Sequence, residues 1–158
     1  MFVTLAGDRG LHWRCTARQN FEYFLGLKGF SKREIKTKIE INENIFGSAF
    51  KELVDKRVET MSFGQKKKIS LFLSFISGAD YLVFDEITEG IDIDSREYIS
   101  TISESLKKNN KALIYATHDI SFANAVSDEV ILIVNGSVQK IIKVDSETDL
   151  AMIYKLSE

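Results

Sequence analysis

Apolar positions along the chain alternate between short unbroken runs and helical spacing. Residues 1–6 are apolar and are closed by the turn cluster Gly7-Asp8-Arg9-Gly10, which predicts a strand. Thr16 is placed to cap a helix carrying Phe21, Phe24 and Leu25 and stopping near Gly29. Ser31 caps a second helix over 32–43, with Ile35, Ile39 and Ile41 as a thin apolar stripe, and a third helical piece is predicted over 46–53. From Gln65, Ile69, Phe72, Leu73 and Ile76 recur at helical spacing over about three turns. Tyr81-Leu82-Val83-Phe84 is unbroken and of strand length, as is Ala112-Leu113-Ile114-Tyr115-Ala116. Continuous rather than alternating apolarity predicts strands buried on both faces, as in a parallel sheet. Between them, 94–108 reads as a helix with Ile99, Ile102 and Leu106 inward. A short helix over 122–126 follows. Residues 130–134 and 138–144 then flank Asn135-Gly136, a strong hairpin signal, and a last helix is predicted over 148–156. The pattern is α/β, with the helices of 16–53 as a separate helical layer.

Composition narrows the classes. The chain has 158 residues, 44% hydrophobic and 28% charged, which suits one ordinary globular domain and excludes disordered, collagen-like or disulfide-stapled classes. Lys plus Arg number 21 against 23 Asp plus Glu, a net charge of −2, so the basic excess of a nucleic-acid-binding domain is missing and no nucleic-acid partner is expected. Cys15 has no second cysteine to pair with, no apolar run reaches the roughly 20 residues of a membrane span, and no basic stretch precedes an apolar one at the start. A cytosolic protein is expected. Proline is absent, where average usage of about 5% would give roughly 8; no functional reason for this is evident.

Four clusters carry possible chemistry. Ser62-Phe63-Gly64-Gln65 opens a helix, where backbone N–H groups and a hydroxyl suit an anion, although Ser62 is also an ordinary helix cap. Asp85-Glu86 ends an apolar strand at the edge of an α/β sheet where ligands bind. An acid there can hold Mg²⁺ through water, and its neighbour can orient or deprotonate an attacking water; equally, two acids can simply mark where a strand surfaces. Gly90-Ile91-Asp92 follows in a loop, and His118 ends the next strand, within reach of the same ligand if the strands are neighbours.

Their order and spacing resemble a known family. Twenty residues separate Gln65 from Asp85, and 33 more reach His118. Ser62 to Gln65 resembles the signature motif of ABC ATPases, usually Leu-Ser-Gly-Gly-Gln. Tyr81 to Glu86 resembles their Walker B strand and glutamate, Glu89 to Asp92 the D-loop, and Thr117-His118-Asp119 the switch-histidine loop. Gly7 to Trp13 with Thr16 to Asn20 is similar to drug- and polysaccharide-exporter ATPases. The resemblance implies that Ser62, Gly64 and Gln65 contact the γ-phosphate of ATP held by a second ATP-binding subunit. It further implies that Asp85 supports Mg²⁺, Glu86 polarises the attacking water, His118 senses the γ-phosphate and Asp92 links the two sites of the dimer. The expected fold is the C-terminal part of a RecA-like P-loop NTPase core over about 63–147, with the family's α-helical subdomain over about 11–62 and a tail over 148–158. That subdomain would dock on a membrane-embedded transporter subunit, holding the chain peripherally on the inner face of the cell membrane.

The departures bear on activity. Gly-x-x-x-x-Gly-Lys-Ser/Thr, whose backbone nest and lysine hold phosphates, occurs nowhere in these residues. The family places it upstream of Walker B, so the P-loop and N-terminal β-subdomain are expected to be missing. Phe63 replaces a signature glycine, Met61 a common leucine, Ile87 a common proline and Lys68 a common arginine; no glutamine stands near Gly7, where the glutamine loop would fall. The resemblance therefore implies an exporter's ATP-binding subunit in fragmentary form. The rival readings are a shortened, non-catalytic partner that lends only its signature face to a full-length ATPase, and an inert relic of a broken gene. Without the upstream strand, 81–84 and 112–116 are expected to show unpaired edges. The 158-residue chain alone is accordingly expected to self-associate at micromolar concentration; a monomeric, cooperatively melting sample by light scattering and calorimetry would count against this.

Overall fold

Three helices begin on the same reciprocal device. In helix α1 (Ala17–Leu27), Thr16 Oγ1 accepts from the Gln19 N–H while Gln19 Oε1 accepts from the Thr16 N–H. Ser31 and Glu34 do the same for α2 (Lys32–Asn42), and Ser62 and Gln65 for α4 (Phe63–Ile76). Each box satisfies two backbone donors that a helix start otherwise leaves open. The computed structural model describes residues 2–4, 10–46, 50–86 and 93–155, which fall into two compact units, Met1–Ala116 and Thr117–Glu158.

In the first unit α1 buries Ala17, Phe21 and Leu25, one turn apart, and stops where Gly29 takes φ 93°. The Gly29 and Phe30 N–H groups turn back to the Gly26 and Leu25 carbonyls, a left-handed stop that glycine adopts without penalty. Helix α2 buries Ile35 and Ile39. Ile41, expected on the same stripe, is exposed: two residues past Ile39 it lies about 200° further round the helix. Of the third helical piece the structure describes a 3₁₀ turn (Glu43–Phe46) and a short α3 (Phe50–Val54), residues 47–49 lying outside the described residues.

Helix α4 is buried nearly all round beyond its first turn. Phe72 meets Phe21 of α1 and Phe50 of α3 at ring-centroid distances of 5.4 and 4.4 Å, and all three are fully buried. At its far end Lys28 and Lys111 donate to the Ser77 and Gly78 carbonyls, cations placed at the negative pole of the helix. Burial pulls the Lys28 ammonium below its ordinary range, helped by Lys38 and Lys111.

Strands β1 (Phe2–Thr4), β2 (Tyr81–Asp85) and β3 (Ala112–Ala116) form a parallel sheet in the order β1-β2-β3. Phe84 sits opposite Thr4 on one side and Tyr115 on the other. Strand β2 is therefore paired along both sides, so the expected unpaired edge at 81–84 is not found; among the described residues the edges are β1 and β3. The expectation of burial on both faces is also corrected. Leu82 and Phe84 are buried, whereas Tyr81 and Ile114, on the opposite face, are more than half exposed. Helix α5 (Ile93–Lys108) packs on β3 and buries Ile99, Ile102 and Leu106, as the periodicity predicts.

The second unit contains α6 (Ile120–Val126), capped by Asp119, an antiparallel hairpin β4 (Glu129–Val134) and β5 (Ser137–Lys143), and α7 (Leu150–Lys155). Asn135 and Gly136 both have positive φ, 50° and 76°, the twist a two-residue hairpin turn requires.

Two outcomes follow. Asn20 is fully buried; its amide accepts from the His12 N–H and donates to the His12 and Thr16 carbonyls. Asn20→Ala, which orphans these groups, is expected to cost about 2 kcal/mol in urea denaturation. Arg18 donates twice to Asp55, holding that carboxyl below its ordinary range. The pair stabilises above the unfolded carboxyl's pKa and loses its effect as pH falls through the depressed one. Both partners are exposed, so the contribution is below about 1 kcal/mol. Arg18→Gln should shift the Asp55 titration upward by carboxyl ¹³C NMR.

Candidate functional site

The start of α4 is positioned from behind. Residues 13–17 and 56–59 are stitched by the pairs Ala17 N–H to Lys56 O, Val58 N–H to Cys15 O and Glu59 N–H to Trp13 O, at 2.9–3.1 Å. Val58 and Met61 are buried beneath this seam, leaving Ser62 and Phe63 exposed at the helix mouth. Ser62 Oγ accepts from the Gln65 N–H at 3.2 Å, and Gln65 Oε1 accepts from both the Ser62 N–H and Lys56 Nζ. The helix-cap role weighed for Ser62 is thus present. It does not exhaust the chemistry: a hydroxyl that accepts retains its proton to donate, and the Gln65 amide nitrogen retains two. Gly64 stands in the first turn between them, with the helix dipole behind. Lys66 lies over the Trp13 ring at 4.3 Å.

The two acids sit where β2 ends. Asp85, the last strand residue, pairs in register with Ala116 and is exposed. Glu86 turns away in the left-handed region at φ 49°, uncommon for a residue with a side chain. Both ends of that residue are held. Its N–H donates to the Ala116 carbonyl at 3.0 Å, and its carbonyl accepts from Lys67 Nζ at 2.5 Å. Its Oε2 is buried. The first turns of α4 and the end of β2, separate clusters along the sequence, are thereby brought together.

His118 lies two residues past β3, at the start of the second unit, with its side chain exposed. Asp92, with the rest of the Glu89-to-Asp92 segment, lies outside the described residues, as do Gly7 and Ile87. Lys67 was not singled out from the sequence. Spacing does not pick it out: α4 is apolar nearly all round beyond its first turn, and Lys68 is four residues from fully buried Phe72 just as Lys67 is from Leu71.

As a metal site, the donor set is sparse. No group of three His, Cys, Asp or Glu side chains suited to a metal occurs among the described residues. A single exposed carboxylate at Asp85 suits Mg²⁺, which keeps several waters and takes one or two carboxylates together with phosphate oxygens.

The fold, a parallel sheet with two acids at the end of its middle described strand and a capped helix mouth beside them, is that of the P-loop NTPase domains of ATP-binding cassette proteins. With a TM-score of 0.84 and 16% identity, 99% of the chain matches 68% of a solved ATP-binding subunit of an ABC transporter. With a TM-score of 0.78 and 18% identity, 92% matches 64% of a chain in the dimeric, post-hydrolysis structure of the ATP-binding cassette MJ0796 bound to ADP and Pi. In sequence the chain is 33% identical over 136 residues to the ABC transporter ATP-binding protein NatA of Bacillus subtilis, covering 86% of this chain and 54% of that protein. It is 28% identical over 138 residues to a putative ABC transporter ATP-binding protein of Listeria monocytogenes, covering 87% and 49%. To the cobalt import ATP-binding protein CbiO of Rhodobacter capsulatus it is 28% identical over 110 residues, covering 70% and 39%. The chain spans about half the length of the first two of these relatives. No family model matches it. Its homologues are ABC transporter ATP-binding proteins, and the expectation drawn from the signature and Walker B residues holds at that level.

Proposed function

We propose that this chain forms part of the ATP-binding subunit of an ABC-type exporter, coupling ATP binding and hydrolysis at a dimer interface to transmembrane transport. The observation that carries the reading is the pairing of Asp85 and Glu86 at the end of β2 with the capped mouth of α4, in a chain whose homologues are ABC transporter ATP-binding proteins. Asp85 would hold Mg²⁺ through water and the nucleotide's phosphates. The metal would neutralise phosphate charge. Glu86 orients and polarises the attacking water, a role suited to a carboxylate whose backbone is fixed on both sides. The Ser62 hydroxyl, the Gly64 N–H and the Gln65 amide address the γ-phosphate of ATP held by a second ATP-binding subunit, and the dimeric state of the MJ0796 structure supports such an arrangement. His118 contacts the γ-phosphate, and Asp92 joins the two sites.

The phosphate-holding loop lies outside these 158 residues, whether on the same polypeptide or on a partner's. A membrane-embedded subunit carries the substrate path and places the chain at the inner face of the membrane; no helix among the described residues is long and apolar enough to cross one. Export rather than import is proposed on the likeness of Gly7 to Trp13 and Thr16 to Asn20 to exporter ATPases. A second reading, a subunit that lends only its signature face, is favoured by the exposure of Ser62 and Phe63 at the helix mouth.

The test is ATP hydrolysis by the polypeptide purified with its partners from its own cells. Glu86→Gln is expected to lower kcat by about 100-fold or more, while the 158-residue chain alone shows negligible turnover. Activity indifferent to Glu86→Gln but abolished by Ser62→Arg, with a P-loop-bearing partner co-purifying, would establish the second reading instead. Activity indifferent to both would overturn the two together.

A further inference from the structure

Lys67 is a buried charged side chain, 6% exposed. An ammonium in that position is disfavoured by desolvation unless it is well hydrogen-bonded, and packing alone would be served as well by leucine or methionine. What Lys67 does with its charge is specific: Nζ donates to the main-chain carbonyl of Glu86. That is the residue held in the left-handed region, and its own N–H is tied to Ala116. The same ammonium lies over the Phe63 ring at 5.1 Å, a cation–π contact one helical turn toward the mouth of α4. A bulky ring stands there instead of the glycine usual in the signature, and it faces the lysine.

We propose that Lys67 is a positioning residue that ties the signature segment at the mouth of α4 to the water-polarising carboxylate residue Glu86 of the same chain. The inference rests on the ATPase reading given above. Under that reading Ser62 to Gln65 address the ATP of the second subunit, whereas Glu86 serves the nucleotide bound on its own side. Lys67 sits between them, its stem built into α4 and its head on the Glu86 peptide. A shift of the helix mouth when the opposing nucleotide arrives is passed through Phe63 and Lys67 to the Glu86 carbonyl, because the lysine is packed into α4 and its ammonium donates to that carbonyl while lying over the Phe63 ring. The Glu86 Cα, from which the carboxylate side chain springs, turns with that held peptide. Each ATP site thereby senses whether the other is filled.

The experiment uses the ATP-hydrolysing assembly containing the complete polypeptide, with Lys67→Met, which keeps the bulk and removes the donor, and Lys67→Arg, which keeps it. Lys67→Met is expected to lower kcat by about tenfold to 100-fold with KM for ATP within about twofold, and Lys67→Arg to recover to within about threefold. In parallel, hydrogen exchange at the Glu86 amide is expected to accelerate at least about tenfold in Lys67→Met, while amides from Ile69 to Ser74 in α4 stay within about twofold. A kcat within about twofold of the parent in Lys67→Met, or unchanged exchange at Glu86, would overturn the proposal. So would an equal loss across all α4 amides, which marks a merely structural lysine. Should Lys67→Met fail to fold, Phe63→Leu at the exposed helix mouth gives the second probe: faster exchange at Glu86 supports the link, and none overturns it. If the parent assembly does not hydrolyse ATP, the ATPase reading fails by itself, and exchange at Glu86 still decides whether Lys67 holds that peptide.

Discussion

Helix α4 must be buried on nearly every side yet begin in solvent, and the first unit is arranged around that demand. Phe72, between Phe21 and Phe50, anchors it to α1 and α3. Rings of this kind each bury about 150–250 Å², so one such cluster outweighs the weak preferences of the short helices around it. The same helix packs on β1. Once the core of α4 is placed, its first turn has nowhere to go but the carboxyl edge of the sheet, beside Asp85 and Glu86. The alignment of helix mouth and acids is thus a by-product of aromatic packing some 10 residues away along the helix.

The polar structure at this edge is economical. Ser62, Gln65 and Lys56 satisfy each other at the helix start, while Lys67 and Ala116 hold the two ends of Glu86. A left-handed glutamate costs on the order of 1–3 kcal/mol and persists only where its surroundings over-determine it. Here a strand neighbour and a buried cation do so. Such strain suits a group that must point away from the strand it ends, and it explains why two adjacent acids, Asp85 and Glu86, have such different settings: one exposed, the other with a buried oxygen.

Much of this was legible from local signals. Thr16, Ser31 and Ser62 each announce a helix by the residue type three positions later, and Asn135-Gly136 announces a hairpin, because caps and turns depend on a few adjacent residues. The helix over Ile99, Ile102 and Leu106 was legible from period alone. Burial was less so. An apolar run such as Tyr81 to Phe84 signals a strand, but which of its faces is covered depends on elements far along the chain, and here one face carries the exposed Tyr81 and Ile114. Ile41 departs from its stripe for a simpler reason: the helix turns it away from Ile35 and Ile39.

The candidate site divides in the same way. Sequence alone determined the chemical inventory: a serine cap with its glutamine, two consecutive acids after an apolar strand and a histidine after the next, in an order and spacing that resemble those of ABC ATPases. Those are properties of type and separation, which survive without coordinates. Only the tertiary structure decided that β2 is flanked on both sides, that Glu86 is left-handed, and that the middle lysine of Lys66-Lys67-Lys68 is the one turned inward. A run of three lysines looks uniform in sequence. The helix separates neighbours by about 100°, and the packing of Phe72 selects which of them faces the sheet and meets the Glu86 carbonyl.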